Sequence, residues 1–210
     1  MKKITGLILF GGSVVAGRGV KDRKFSFARR LKNKLSIPVL IKGKSFITSE
    51  DALNRLENHV LIKNKTYSHV LVLLGNNDSR LIAYHKPKST VAQFKKNMMQ
   101  LAYKIQCTKR DVFICNLHPL DSDDIRRIHP KMVSYLKPPI TPCGWHKTYS
   151  DACGEIASMG KFRLVDIRSD LEKAKDEGKR VIADYNLDPN RLGHQIIADK
   201  IYEEIAQYII

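Results

Sequence analysis

Five short apolar runs limit what this chain can become: Ile4 to Phe10, Ile37 to Ile41, His69 to Leu74, Val112 to Cys115 and Phe162 to Ile167. They are nearly continuous and do not alternate with polar residues, which is how strands buried on both faces of a parallel sheet read. The stretches between them carry apolar residues at helical spacing. Phe27, Ala28, Leu31 and Leu35 stripe a helix over 25–35, and Ala52, Leu53, Leu56 and Val60 stripe another over 49–61, with Ser49 as its N-cap. Phe94, Met98, Leu101 and Ile105 stripe a helix over 90–105. Two further helices are predicted over about 149–159 and 190–208, the second packing Ile196, Ile197, Ile201, Ile205 and Tyr208 inward. Residues 121–145, rich in proline and polar side chains, read as irregular. Strands alternating with helices predict an α/β fold: a three-layer α/β/α sandwich around a five-stranded parallel sheet, with one domain over 1–210.

In such sheets ligands bind beyond the carboxyl ends of the strands. The loops after the first, third and fourth strands should therefore converge. They hold Gly12-Ser13, Gly75-Asn76-Asn77-Asp78 and Asn116-Leu117-His118. Each alone is ordinary turn chemistry; together they outline a site.

These same residues carry a resemblance to the SGNH/GDSL hydrolases, over nearly the whole chain. Gly11-Gly12-Ser13 stands where that family has Gly-Asp-Ser after the first strand, and Gly75-Asn76-Asn77-Asp78 matches its Gly-x-Asn-Asp. Tyr185-Asn186-Leu187-Asp188-Pro189-Asn190, followed by Gly193-His194, matches its Asp-x-x-His-Pro-Asn and trailing Gly-His. The resemblance implies the flavodoxin-like SGNH fold and a serine ester hydrolase acting on acyl or carbohydrate O-acyl esters, without a cofactor or metal. Ser13 would be the nucleophile and Asn77 an oxyanion donor. The family's second-block glycine falls near Phe46, whose backbone N–H could still donate.

Three departures matter. Gly12 replaces an aspartate, and Phe46 a glycine. Asp188 occupies the position of the catalytic histidine, and Tyr185 that of its orienting aspartate. A carboxylate of ordinary pKa is a poor base for a serine hydroxyl, and general-base help is worth roughly 10²–10⁴-fold. His118 is a candidate substitute base, and Asp184 a candidate displaced aspartate. His194 matches the family's non-catalytic histidine and reads as packed or capping. Two readings follow: an ester hydrolase of impaired activity, or an inactive SGNH fold reused as a binding or structural module.

The second reading draws on charge. The net charge of +16 favours anionic partners such as nucleic acid or a polyanion. Lys21, Arg23, Lys24, Arg29, Arg30, Lys32 and Lys34 cluster in one segment, which reads equally as a solvated helix face. No zinc-finger, RNA-recognition or helix-turn-helix signature accompanies them. Cys143, His146 and Cys153 lie close in sequence, but their spacing is not a common ligand set, so free or core cysteines are expected. No apolar run reaches the roughly 20 residues of a membrane span, so no membrane partner is expected. Met1-Lys2-Lys3 before Ile4 to Phe10 has the outline of a secretory signal. Gly11-Gly12-Ser13 interrupts the apolar stretch, which favours a buried first strand opening a strand-loop-helix unit, and a cytoplasmic location.

Overall fold

The structure is a computed structural model and describes residues 3–61 and 66–209. Of the Met1-Lys2-Lys3 lead, only Lys3 lies within them. The sheet is built from β1 (Leu7–Gly11), β2 (Val39–Gly43), β3 (His69–Leu73), β6 (Asp111–Cys115) and β7 (Arg163–Val165), all parallel, in the order β2-β1-β3-β6-β7. A small antiparallel pair, β4 (Leu81–Ala83) and β5 (Lys86–Pro87), projects from the loop after β3.

Strand pleating divides the core in two. Leu7, Leu9, Leu71, Leu73, Phe113 and Cys115 face one layer, with α1 (Phe27–Lys34), α7 (Ile167–Asp176) and α8 (Arg191–Ala206). Ile8, Phe10, Val70, Val72 and Ile114 face the other, with α2 (Ser49–His59), α3 (Val91–Gln106) and α6 (Pro142–Gly160). β1 and β3 are buried at every residue, which is why their sequences do not alternate.

The helix boundaries differ from expectation where side chains compete for the first turn. Thr48, not Ser49, caps α2: its hydroxyl accepts the Asp51 N–H at 3.3 Å while the Asp51 carboxylate accepts the Thr48 N–H at 2.8 Å. The expected helix directly after Ser13 is a series of turns, and α1 begins only after a 3-10 turn at Arg23–Phe25, capped by Ser26. Residues 121–145 are irregular only over 135–141. The rest forms α4 (Ser122–Ile128), α5 (Pro130–Ser134) and the start of α6, with Pro130 and Pro142 in first turns, where a missing N–H costs nothing. The fifth strand stops at Val165, since Asp166 caps α7 by accepting the Arg168 and Ser169 N–H groups. No helix among the described residues is long and apolar enough to cross a membrane.

Candidate active site

Successive connections leave β1 in opposite directions, β2 on one side and β3 on the other, so the loops after β1 and β3 flank the point where strand order reverses. Ser13 follows β1 and Asn77 follows β3. Both line a cavity of about 130 Å³ together with Phe46, His118, His146 and Asp188.

Phe46 joins the two loops. Its N–H donates to Ser13 Oγ at 3.2 Å, and its carbonyl accepts from the Asn77 amide nitrogen. Donor and acceptor of one residue can face these partners because Phe46 lies in the left-handed region, at φ 66°. Glycine is the usual occupant of that conformation, so the family's glycine and this phenylalanine answer the same backbone demand, the latter with strain. The Phe46 ring lies 4.5 Å beneath the Arg18 guanidinium. Lys88 Nζ donates to Asn77 Oδ1 at 3.3 Å, which leaves the amide N–H₂ facing the Phe46 side. Gly75, at φ 128°, lets β3 turn sharply into this loop, where a Cβ would press on Leu117 and Phe94 at 3.1 Å. At Gly12 nothing lies within 4 Å of the place a Cβ would take, so no crowding excludes the aspartate the family has there.

Asp78, buried at the end of the same motif, accepts from Ser49 N–H at 3.0 Å and Ser49 Oγ at 2.6 Å. It thereby holds the start of α2 against the site. Burial still raises its pKa above the usual carboxylate value, against the lowering by those bonds.

No imidazole among the described residues hydrogen-bonds to Ser13 Oγ. Asp188 takes the histidine's place in the cavity, its side chain 15% exposed, and its Oδ2 accepts from Arg18 Nε at 3.2 Å. Burial raises its pKa, and the Arg18 guanidinium opposes that rise. His118 lines the cavity, but its Nε2–H donates to the Leu187 carbonyl at 2.8 Å and its Nδ1 is sealed from solvent without a partner. Burial lowers its pKa to about 4, with Arg168 and His194 adding to the effect, so it is no stronger a base than a carboxylate.

The remaining expectations divide. His194 is structural: its Nδ1 accepts from Phe27 N–H at 3.2 Å and its Nε2–H donates to the Arg18 carbonyl at 2.7 Å, tying α8 to the start of α1 and to the loop after Ser13. Tyr185 and Asp184 do not reach the site. Tyr185 is exposed in a separate recess with Phe25 and Arg191, and Asp184 pairs with Arg180 at the surface. Both lie in the turn that the Ile182–Pro189 bridge closes. Cys143, His146 and Cys153 do not converge: Cys143 contacts Ser122, Cys153 bonds to the Tyr149 carbonyl, and His146 Nε2 lies 2.8 Å from Asn76 Oδ1. Among the described residues no three His, Cys, Asp or Glu side chains gather as a metal site. In the basic segment, Arg30 is half-buried, with Nε donating to the Phe25 carbonyl, while Arg23, Arg29 and Lys32 are exposed. Several cavity residues stand outside the sequence expectations, Arg80, His129 and Met132 among them, and His146, weighed only as a metal ligand, lies in the cavity wall. Arg18 does carry a signal, a cation five residues after the nucleophile and opposite a carboxylate standing in a histidine's place.

By fold the molecule is an α/β protein, a five-stranded parallel sheet between two layers of helices. It belongs to the GDSL-like lipase/acylhydrolase family, whose family model matches residues 9–196. A curated relative, the GDSL esterase/lipase CPRD49 of Arabidopsis thaliana, is 29% identical over 147 residues. That match covers 67% of this chain and only 55% of the relative's length. The solved lipase/acylhydrolase from Enterococcus faecalis is similar in fold, with TM-score 0.70 and 22% identity over 99% of this chain and 96% of that one. The acetyl xylan esterase AlAXEase superposes with TM-score 0.75 and 20% identity, over 95% and 99% of the two chains.

Proposed function

We propose that this chain is a slow serine ester hydrolase, using Ser13 as nucleophile, Phe46 N–H and the Asn77 amide as oxyanion donors, and Asp188 as the proton acceptor. The observation that carries the reading is the Phe46 N–H aimed at Ser13 Oγ, with Asn77 tied to the same residue. A donor fixed beside the nucleophile is what a developing oxyanion requires. In the first step Ser13 Oγ bonds to the acyl carbon, its proton passes to the Asp188 carboxylate, and the ester C–O bond breaks as the alcohol recovers that proton. Water then attacks the acyl-serine, giving up a proton through Asp188 and releasing the carboxylic acid and free Ser13.

The reading also supports impairment. Asp188 is a weaker base than a neutral imidazole of ordinary pKa, and Arg18 holds one of its oxygens. An acyl ester of a carbohydrate, as in the acetyl xylan esterase it resembles in fold, is one substrate class to test. The decisive experiment is hydrolysis of 4-nitrophenyl acetate and acetylated xylose by wild type, Ser13→Ala and Asp188→His. Expected are slow wild-type turnover, its loss in Ser13→Ala, and a gain of roughly 10²-fold in Asp188→His. Turnover that survives Ser13→Ala would refute the reading. An Asp188→His protein no faster than wild type would refute the base assignment.

A further inference from the structure

A second cavity, of about 600 Å³, adjoins the one at Ser13 and shares Arg80, His129 and Met132 with it. Arg80, Lys88 and Lys131 bring three cations to its wall, Leu81 contributes an apolar side, and no carboxylate among the described residues lines it. Some basic side chains elsewhere pair with carboxylates, as Arg163 does with Glu204, Arg168 with Glu172 and Lys147 with Asp151. Among the described residues, Arg80, Lys88 and Lys131 make no ion pair within 4 Å; the Lys88 ammonium donates to Asn77 Oδ1 and also acts electrostatically on Asp51. Three exposed cations lining one concavity without a carboxylate make it electropositive, which favours an anion there. Their position also matters. The cavity opens from the ester site itself, so a ligand lying across both would place one part at Ser13 and another among the cations.

We propose that this adjoining cavity is a subsite for an anionic group, a carboxylate or a phosphate, carried on the same molecule as the ester. The proposal rests on the reading of Ser13 as an ester site and gives it a substrate class: acidic esters in preference to neutral ones. Arg80 offers the planar fork that binds either anion in two-point fashion, and Lys131 a mobile point charge at the outer wall. The apolar side accommodates the carbon skeleton between ester and anion.

The test uses matched esters. Anions on the alcohol side are probed with 4-acetoxybenzoate and 4-acetoxyphenyl phosphate against the neutral methyl 4-acetoxybenzoate. Anions on the acyl side are probed with mono-4-nitrophenyl glutarate against 4-nitrophenyl butyrate. Wild-type turnover is compared as ratios of kcat/KM, and binding to the Ser13→Ala protein is measured by calorimetry. The expected result is a preference of roughly tenfold or more for an anionic member, as for one charge-assisted hydrogen bond, shrinking as salt rises. In Arg80→Gln/Lys131→Gln the preference should collapse toward one, and the larger of the carboxylate and phosphate ratios identifies the anion. Ratios near one in wild type at low salt, or a preference unchanged in the double variant, would overturn the subsite. Anion-selective binding without any turnover would overturn the ester reading and leave the subsite standing. Turnover without anion preference would do the reverse.

Discussion

Acid should destabilise this fold well before its carboxylates are neutralised, because histidines are buried in neutral form. His118 and His194 both have their pKa lowered from 6.5 to about 4. Burial is the main cause for each; Arg168 and His194 add to it at His118, and Arg30 at His194. The hydrogen bonds to the Leu187 and Arg18 carbonyls pull the other way and lose. A folded pKa below the unfolded one means that the unfolded chain binds protons first. Stability is full above about pH 6.5, falls as pH drops toward about 4, and is flat below that for these groups. The interval from 6.5 to about 4, at 1.36 kcal/mol per pH decade, corresponds to about 3 kcal/mol for each imidazole. His146 is lowered in the same direction by burial and by His118. Asp78 and Asp188, with raised pKa values, act oppositely and closer to the carboxylate range, so the slope is best read between pH 6.5 and 5. Over that span the first two histidines should together remove about 3 kcal/mol, a large part of a typical stability of about 5–15 kcal/mol. The assay is urea unfolding at several pH values, comparing wild type with His118→Gln and His194→Gln. Each variant should reduce the number of protons linked to unfolding by about one. A wild-type loss below about 1 kcal/mol, or slopes unchanged in both variants, would refute the assignment of these rings as buried and neutral.

Three other outcomes follow from the same contacts. Phe46→Gly should change stability by no more than about 1 kcal/mol, since relief at φ 66° offsets the lost stacking under Arg18, whereas Phe46→Val should be about 1–2 kcal/mol less stable than the glycine variant in thermal unfolding. Asp78→Ala should destabilise by about 2–4 kcal/mol by chemical denaturation, because the Ser49 N–H and hydroxyl lose their buried acceptor. If the basic segment engages a polyanion, heparin or DNA binding should weaken steeply with salt. Replacing Arg23, Arg29 and Lys32 with glutamine should flatten that dependence, these three being exposed and Arg30 not; salt-independent binding, or none, would leave the charge as a solvated surface.

The sequence by itself determined the layers of this protein. Short unbroken apolar runs such as Leu7 to Phe10 and Val70 to Leu73, each closed by a glycine-containing turn, read as strands covered on both faces, and the helical stripes between them supply the covers. It also determined which loops meet, because serine and asparagine after alternate strands of a parallel sheet fall at one edge. Local signals failed where two readings were both plausible. Prolines at 130 and 142 read as breakers until their place in a first turn was known, and Ile167 read as strand until Asp166 was seen to cap a helix. What only the tertiary structure decided is which polar groups face one another. The motif put Asp188 at the histidine position and left His118 and Asp184 as substitutes, yet a hydrogen bond to Leu187 occupies His118, Tyr185 is exposed, and Asp184 pairs with Arg180 at the surface. The pairing of Arg18 with Asp188 spans 170 residues of chain, and the gathering of Arg80, Lys88 and Lys131 depends on how a short hairpin and α5 pack. Apolar periodicity is a property of neighbours along the chain; charge pairing across loops depends on the three-dimensional path, which periodicity does not encode.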